Sequence, residues 1–271
     1  MPESGSALLS VIGAPGAFWL PTLVLAALFG VRYLVFAGLA FWIGYRPGRA
    51  LRRKLQAAMP TAAQVRREIG YSAIAVVAFG AISGLLAWLG ALPHTLIYRD
   101  AGRHGAGWFV ASILVALVVH DAWFYWTHRL LHLRSIFPLV HRIHHLSTNP
   151  TPWTSYAFHP AESVVQALGV VLIVFVVPMH PLALLVFQTI STAVNVYGHC
   201  GYELYPSGWS RHPLGRWLNT SVAHNAHHAM ARHNYGLYFL WWDRGMGTLD
   251  PGYDKGFDAA RGGASGATRG A

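Results

Sequence analysis

Histidine is where this sequence concentrates chemistry. Eight of its 16 histidines fall into three spaced groups: His128 and His132 in "THRLLH", His141, His144 and His145 in "HRIHH", and His224, His227 and His228 in "HNAHH". Asn195 and His199 add an NxxxH pair. On a helix, residues i, i+3 and i+4 share one face, with neighbouring Cβ atoms about 5–6 Å apart. Each group therefore aims its imidazoles at a common point. Rings this crowded repel one another when protonated, whereas a metal-bound imidazole is neutral and has given up its proton. Imidazole suits iron, zinc, copper and nickel. A single tetrahedral zinc takes four ligands, so eight rings plus His199 suit two ions better than one. The sequence has no HExxH, GxSxG or Walker-type loop, which removes the zinc-protease, serine-hydrolase and P-loop readings. A redox-active pair of irons is the expected occupant. His94, His104, His180 and His212 read as surface residues, and His120 and His233 as either buried or close to the ligands.

The elements that must bring these groups together are apolar spans. Hydrophobic residues make up 54% of the 271 residues and charged ones 11%, against about 25% charged in an ordinary soluble domain. Apolar stretches at about 18–43, 69–92 and 108–127 are each long enough to cross a hydrocarbon core of about 30 Å as a helix. The first is too long for a signal-peptide core and reads as an anchor. A fourth region, 163–197, is broken by "PMHP" at 178–181. Its arms are marginal for full spans, and the reading is a tight helical hairpin reaching part of the way through. Arg46, Arg49, Arg52, Arg53, Lys54, Arg66 and Arg67 lie between the first two spans, and only Arg99 and Arg103 follow the second. The positive-inside rule places the former loop in the cytoplasm. The third span then brings "HRIHH" back to that side, and the hairpin returns "HNAHH" to it. The net charge of +10 thus serves topology and anionic headgroups, and no nucleic-acid-binding motif accompanies it. The lone Cys200 excludes an intrachain disulfide. The expected fold is all-α and polytopic, with about four transmembrane helices and a cytoplasmic histidine-rich di-metal cap. Its expected parts are membrane anchor spans over 1–107, a catalytic domain over 108–250 and a disordered tail over 251–271.

Taken with their surroundings, "DAWFYWTHRLLH", "HRIHHLSTNPTPWTSYAFHPAE", "GHCGYELYP" and "HNYGLYFLWWDRGMGT", the three motifs resemble the membrane fatty acid hydroxylase/sterol desaturase superfamily. The resemblance covers roughly 110–250 and is nearest the sterol C-5 desaturase-like bacterial branch. It implies a non-haem di-iron site, molecular oxygen as co-substrate, and hydroxylation or desaturation of a lipid. The implied metal ligands are His128, His132, His141, His144, His145, His224, His227 and His228, with His199. Some hydroxylases carry a histidine where this sequence has Asn195.

Around the ligands, Asp121 lies two helical turns before His128 and is expected to orient a ligand ring, or to partner Arg129 or Arg142. His159 and Glu162 follow the second motif and are expected near the metal face or the substrate entrance, supporting the ligands, with His159 a candidate further ligand. Glu203 and Asp243 are expected to hold ligand histidines. Trp153, Tyr156, Phe158, Tyr238, Phe239, Trp241 and Trp242 would line a lipid channel or form an interfacial aromatic belt. Breaking an unactivated C–H bond needs a cofactor: two iron ions, with zinc as a substitute in purified protein. No haem, flavin or nicotinamide site is visible, so electrons are expected from a separate b-type cytochrome or ferredoxin with its reductase. The alanine- and glycine-rich composition points to a bacterial inner membrane. The competing reading is a non-catalytic membrane metal-binding or interaction protein derived from this family.

Overall fold

The computed structural model describes residues 18–46, 54–100 and 102–262. Arg49, Arg52 and Arg53 of the basic loop and the end of the expected tail, 263–271, lie outside the described residues. Among the described residues the fold is helical, with two isolated β-bridges in place of any strand.

Four helices are long and apolar enough to cross a membrane: α1 (Trp19–Gly44), α2 (Ala62–Trp88), α3 (Gly105–Leu131) and, after the shorter apolar α6 (Pro160–Val176), α7 (Pro181–His199). Many of their large apolar side chains face outward, among them Leu23, Val31, Leu34, Val77 and Leu114. That is the pattern of a bundle solvated by lipid rather than water. Helix α2 starts seven residues before the purely apolar stretch. Thr61 caps it by accepting from the Gln64 amide, and its polar first turns carry Glu68, which is buried. The α6–α7 pair is the hairpin expected from "PMHP". Its turn runs beside the loop between α2 and α3: Tyr98 N donates to Met179 O at 3.1 Å and Leu96 N to Val174 O at 2.8 Å. The Trp108 indole donates to Pro178 O at 2.9 Å. The hairpin therefore reaches the far end of α2 and α3 rather than stopping part-way, because Met179 and Pro178 find backbone and indole partners only there.

At the opposite end the chain builds a cap from short elements. These are α4 (Phe137–Val140), α5 (Arg142–His145), a 3-10 turn at Pro152–Tyr156, α8 (Ser221–Met230), α9 (Trp241–Gly245) and α10 (Tyr253–Ala260). The last of these corrects the expected tail over 251–271. Tyr253 and Phe257, at i and i+4, are buried against Val222, Ala223 and Leu240, so the chain stays packed to the end of α10.

Candidate metal centre

The nine histidines meet at the junction of bundle and cap, drawn from α3, α5, α7 and α8. They form two groups, His128, His132, His141, His145 and His227 in one and His144, His199, His224 and His228 in the other; within each group, one ligand nitrogen from every ring lies within 4.8 Å of the rest. Each HxxHH motif is divided between them. His141 and His145 join one group and His144 the other, while His224 and His228 join one and His227 the other. The one common point expected for each motif is thus two points. Successive residues such as His144 and His145 project about 100° apart on a helix, with their ring planes at 88°.

Five of the nine rings have an outer partner that fixes the proton away from the space they share. Nδ1 of His128, His227, His228 and His199 donates to the carbonyls of Tyr235 (2.9 Å), His233 (2.7 Å), Ser147 (3.0 Å) and Asn195 (2.7 Å). His141 Nδ1 donates to the Glu162 carboxylate at 2.8 Å. These bonds fix the proton on Nδ1 and leave Nε2 as a bare lone pair. In the first group, Nε2 of His141 then lies 3.1 Å from that of His128 and 3.2 Å from that of His145. In the second, Nε2 of His199 lies 2.9 Å from that of His224 and 3.1 Å from that of His228. In the His128–His141 and His199–His228 pairs both protons are fixed on Nδ1, and lone pairs so close repel unless a cation sits among them. With metal–nitrogen bonds of about 2.0–2.1 Å, angles between 90° and tetrahedral give nitrogen–nitrogen edges of about 2.9–3.4 Å. The donor set therefore fits two metal ions. Burial and the neighbouring rings push the imidazoles of His141, His144, His224, His227 and His228 well below their ordinary pKa. His145 is lowered to about 3, chiefly by burial. The rings are neutral at physiological pH and available as ligands.

A second layer fixes the rings, and most of it is backbone. The carbonyls of alternate residues Ala231, His233 and Tyr235 face His132, His227 and His128, so one strap serves three of the five rings in the first group. The strap is strained. Ala231, His233 and Asn234 have φ of 53°, 69° and 55°, the left-handed region that non-glycine residues avoid. Asp243 ties it down, accepting from the amides of Tyr235 (2.8 Å) and Gly236 (2.9 Å). The Gly236 N–H and the Tyr235 C=O belong to one peptide group, so a single peptide links the Asp243 carboxylate to the His128 ring. Glu68, which the sequence reading did not single out, accepts from the hydroxyls of Ser147 and Thr151. It pins the loop whose Ser147 carbonyl holds His228. Its signal, an acid nearly two turns into α2, is hidden beside the basic Arg66 and Arg67.

Several supporting residues stand elsewhere than expected. Asp121 touches no ligand ring and neither Arg129 nor Arg142. Its carboxylate accepts from the amides of Leu237, Tyr238 and Phe239 and from the Trp241 indole, because the strap passes between it and the histidines. His159 belongs to neither group and caps α6, its Nδ1 accepting from the Ala161 amide. Asn195 donates to the Ser155 carbonyl. Glu203 accepts from the Val222 amide at the start of α8, so it holds the helix rather than a ring. Glu162 sits directly on His141. His94, His104, His180, His212 and His233 contribute no ring to either group.

A largely apolar cavity of about 200 Å³ lies in the bundle beside this centre. Phe158 and Phe124 line it and pack on His144 and His128, at 5.1 and 5.0 Å between ring centroids. The cavity thus abuts a ring from each group. Of the seven aromatics considered for a channel, Tyr156 and Phe158 line it. Tyr238 instead reaches the cavity through His120, and Trp242 stacks on Tyr125.

Residues 113–248 match the fatty acid hydroxylase family, and the chain belongs to that family. It is 32% identical over 187 residues to a Delta(7)-sterol 5(6)-desaturase of Gibberella zeae, covering 68% of this chain and 56% of the relative. It is 32% identical over 183 residues to the lathosterol oxidase of Homo sapiens, covering 67% and 60%, and 33% identical over 153 residues to that of Mus musculus, covering 56% and 50%. The matches thus span 50–60% of the length of these relatives. No solved structure matches the chain.

Proposed function

We propose that the protein is a membrane-embedded oxidoreductase that desaturates or hydroxylates a C–H bond of a lipid, with a sterol-like lipid the first class to test. The observation that carries this reading is an apolar cavity set beside the two histidine groups, with Phe124 and Phe158 lining it and packing on His128 and His144. A lipid tail or ring system entering from the bilayer would present a C–H bond at Phe124 and Phe158, beside His128 and His144. All nine histidines are assigned as ligands, to two iron ions, with zinc able to take their place in purified protein. Bound iron would supply the oxidising power, using O2 and electrons, that side-chain acid–base chemistry lacks. The chain's own part is to hold the rings neutral and oriented, through Glu162 and the strap carbonyls, and to keep water out of the cavity. Electrons would come from a separate carrier, a b-type cytochrome or ferredoxin, docking at the histidine end. Arg46, Lys54, Arg66 and Arg67 gather there, and the same charge bias supports a cytoplasmic orientation, in a bacterial inner membrane.

The test is metal analysis of the purified protein together with lipid profiling of a strain lacking it. Two equivalents of iron per chain, and an oxygen-dependent lipid product lost in the deletion strain and in His144→Ala, are expected. Fewer than one equivalent of iron and zinc combined, or continued turnover by His144→Ala, would overturn the assignment. A chain holding two metals with no lipid product in any background would favour the non-catalytic metal-binding reading.

A further inference from the structure

The cavity walls carry the polar side chains of Ser83, Gln166, Gln188, Ser191 and Asn195 and one imidazole that the metal centre does not use. Along α7 the cavity extends from Asn195 to Leu184, eleven residues or about 16 Å at 1.5 Å per residue. No lysine, arginine or acidic residue lines it. His120 of α3 does line it, although the residue as a whole is only 7% exposed. Its Nδ1 is bonded to the Tyr238 hydroxyl at 2.7 Å, and among the described residues nothing partners its Nε2. The ring is braced on its other sides. Phe187 meets it edge-on at 5.4 Å, and a Cβ at Gly169 would stand 3.0 Å from His120 Cδ2, so glycine there makes room for the imidazole. Tyr238 is itself fixed, its amide donating to Asp121 at 2.8 Å. A braced ring nitrogen left open to an apolar space is a site for a polar atom of a ligand.

Resting on the reading of this cavity as the lipid channel, we propose that His120, backed by Tyr238, binds a hydroxyl group of the lipid and so sets how deeply it sits. A hydroxyl both donates and accepts, and so answers either tautomer of the imidazole. Behind the wall the Arg32 guanidinium is turned onto Gln188 Oε1 at 2.6 Å, so a carboxylate or phosphate at His120 would meet no cation of its own, which is costly. The ligand is therefore a neutral lipid alcohol rather than a free fatty acid or phospholipid. His120 precedes His128 by eight residues on one helix, about 12 Å along the axis. The hydroxyl would thus stand on the order of 10 Å from the carbon presented to the histidines.

The experiment measures binding rather than turnover, using full-length protein in nanodiscs. Its probes are a 3-hydroxysterol and a long-chain 1-alkanol, each paired with the hydrocarbon of the same skeleton lacking the hydroxyl. The wild type should bind at least one alcohol about tenfold more tightly than its hydrocarbon, equivalent to about 1.4 kcal/mol. His120→Phe should erase that preference while leaving hydrocarbon affinity within about twofold. Tyr238→Phe, which removes one oxygen, serves as the milder variant and should cut the preference severalfold. Equal binding of alcohol and hydrocarbon by the wild type, or a preference surviving in both variants, would overturn the proposal and leave the lipid channel standing. Failure of all four probes to bind would overturn the channel reading itself, and this proposal with it.

Discussion

Replacing Glu162 with glutamine isolates the contribution of one carboxylate to one of two metal positions. His141 Nδ1 donates to Glu162 Oε1 at 2.8 Å, and the two side chains are 1% and 0% exposed. Glutamine keeps an oxygen acceptor at that place and removes the negative charge. Burial and neighbouring rings hold His141 well below its ordinary pKa, so the buried pair is not an ion pair on its own, and a charge on Glu162 would be answered by metal bound to His141. Loss of such a partner typically costs 10–100-fold in metal affinity, or about 1.4–2.7 kcal/mol. The loss should fall on one position only. His141 Nε2 faces His128 and His145, whereas the rings of the other group with an assigned outer partner lean on the carbonyls of Asn195 and Ser147. Titrating the loaded protein with a chelator and counting retained iron should show two release steps in the wild type. In Glu162→Gln one step should move 10–100-fold and the other stay in place. Two unmoved steps, or an equal shift in both, would refute the argument that this carboxylate supports a single position.

Other perturbations probe the strap and the protonation of the rings. Asp243→Asn leaves one amide oxygen for the Tyr235 and Gly236 N–H groups, and an unpaired buried N–H costs about 1–3 kcal/mol; a lower melting temperature and weaker iron retention are expected, measured together. Gly236→Ala places a Cβ at 2.2 Å from Phe239 O and 3.0 Å from Asp243 Oδ2, so the strap must shift and iron content after purification should fall. The folded pKa of His141, His144, His145, His224, His227 and His228 is lowered, so below the unfolded value of about 6.5 the unfolded chain binds more protons. Metal-free protein should therefore melt at a nearly constant temperature above about pH 7 and at steadily lower temperatures as pH falls below 6.5, read by a thermal scan across pH 5–8.

The histidine clusters and the spans were legible because each is a local pattern. HxxHH is a statement about one helical turn, and an unbroken apolar stretch is a statement about one span. The division of each motif between two groups was not legible, since it depends on where α3, α5, α7 and α8 stand relative to one another. The strap was hidden for a different reason: its working atoms are the carbonyls of Ala231, His233 and Tyr235, and every residue type has a carbonyl. Asp121 shows the limit from the other side. Its spacing from His128 was read correctly as two turns, but a carboxylate in the right sector of a helix takes whichever donors come nearest, and the amides of 237–239 intervene.

The sharing of each HxxHH between two positions has a consequence for how this site can change over generations. Because His144 and His145 are consecutive, as are His227 and His228, a single inserted or deleted residue in either motif would turn the ring directions by about 100° and spoil both positions at once. Within each motif, the offset between the two histidine groups follows the pitch of the peptide helix. A descendant could not lose one group by a small drift in register and keep the other; it would have to replace histidines one by one or abandon both groups. Such an arrangement resists gradual decay, and surviving copies are expected to be either complete or plainly broken.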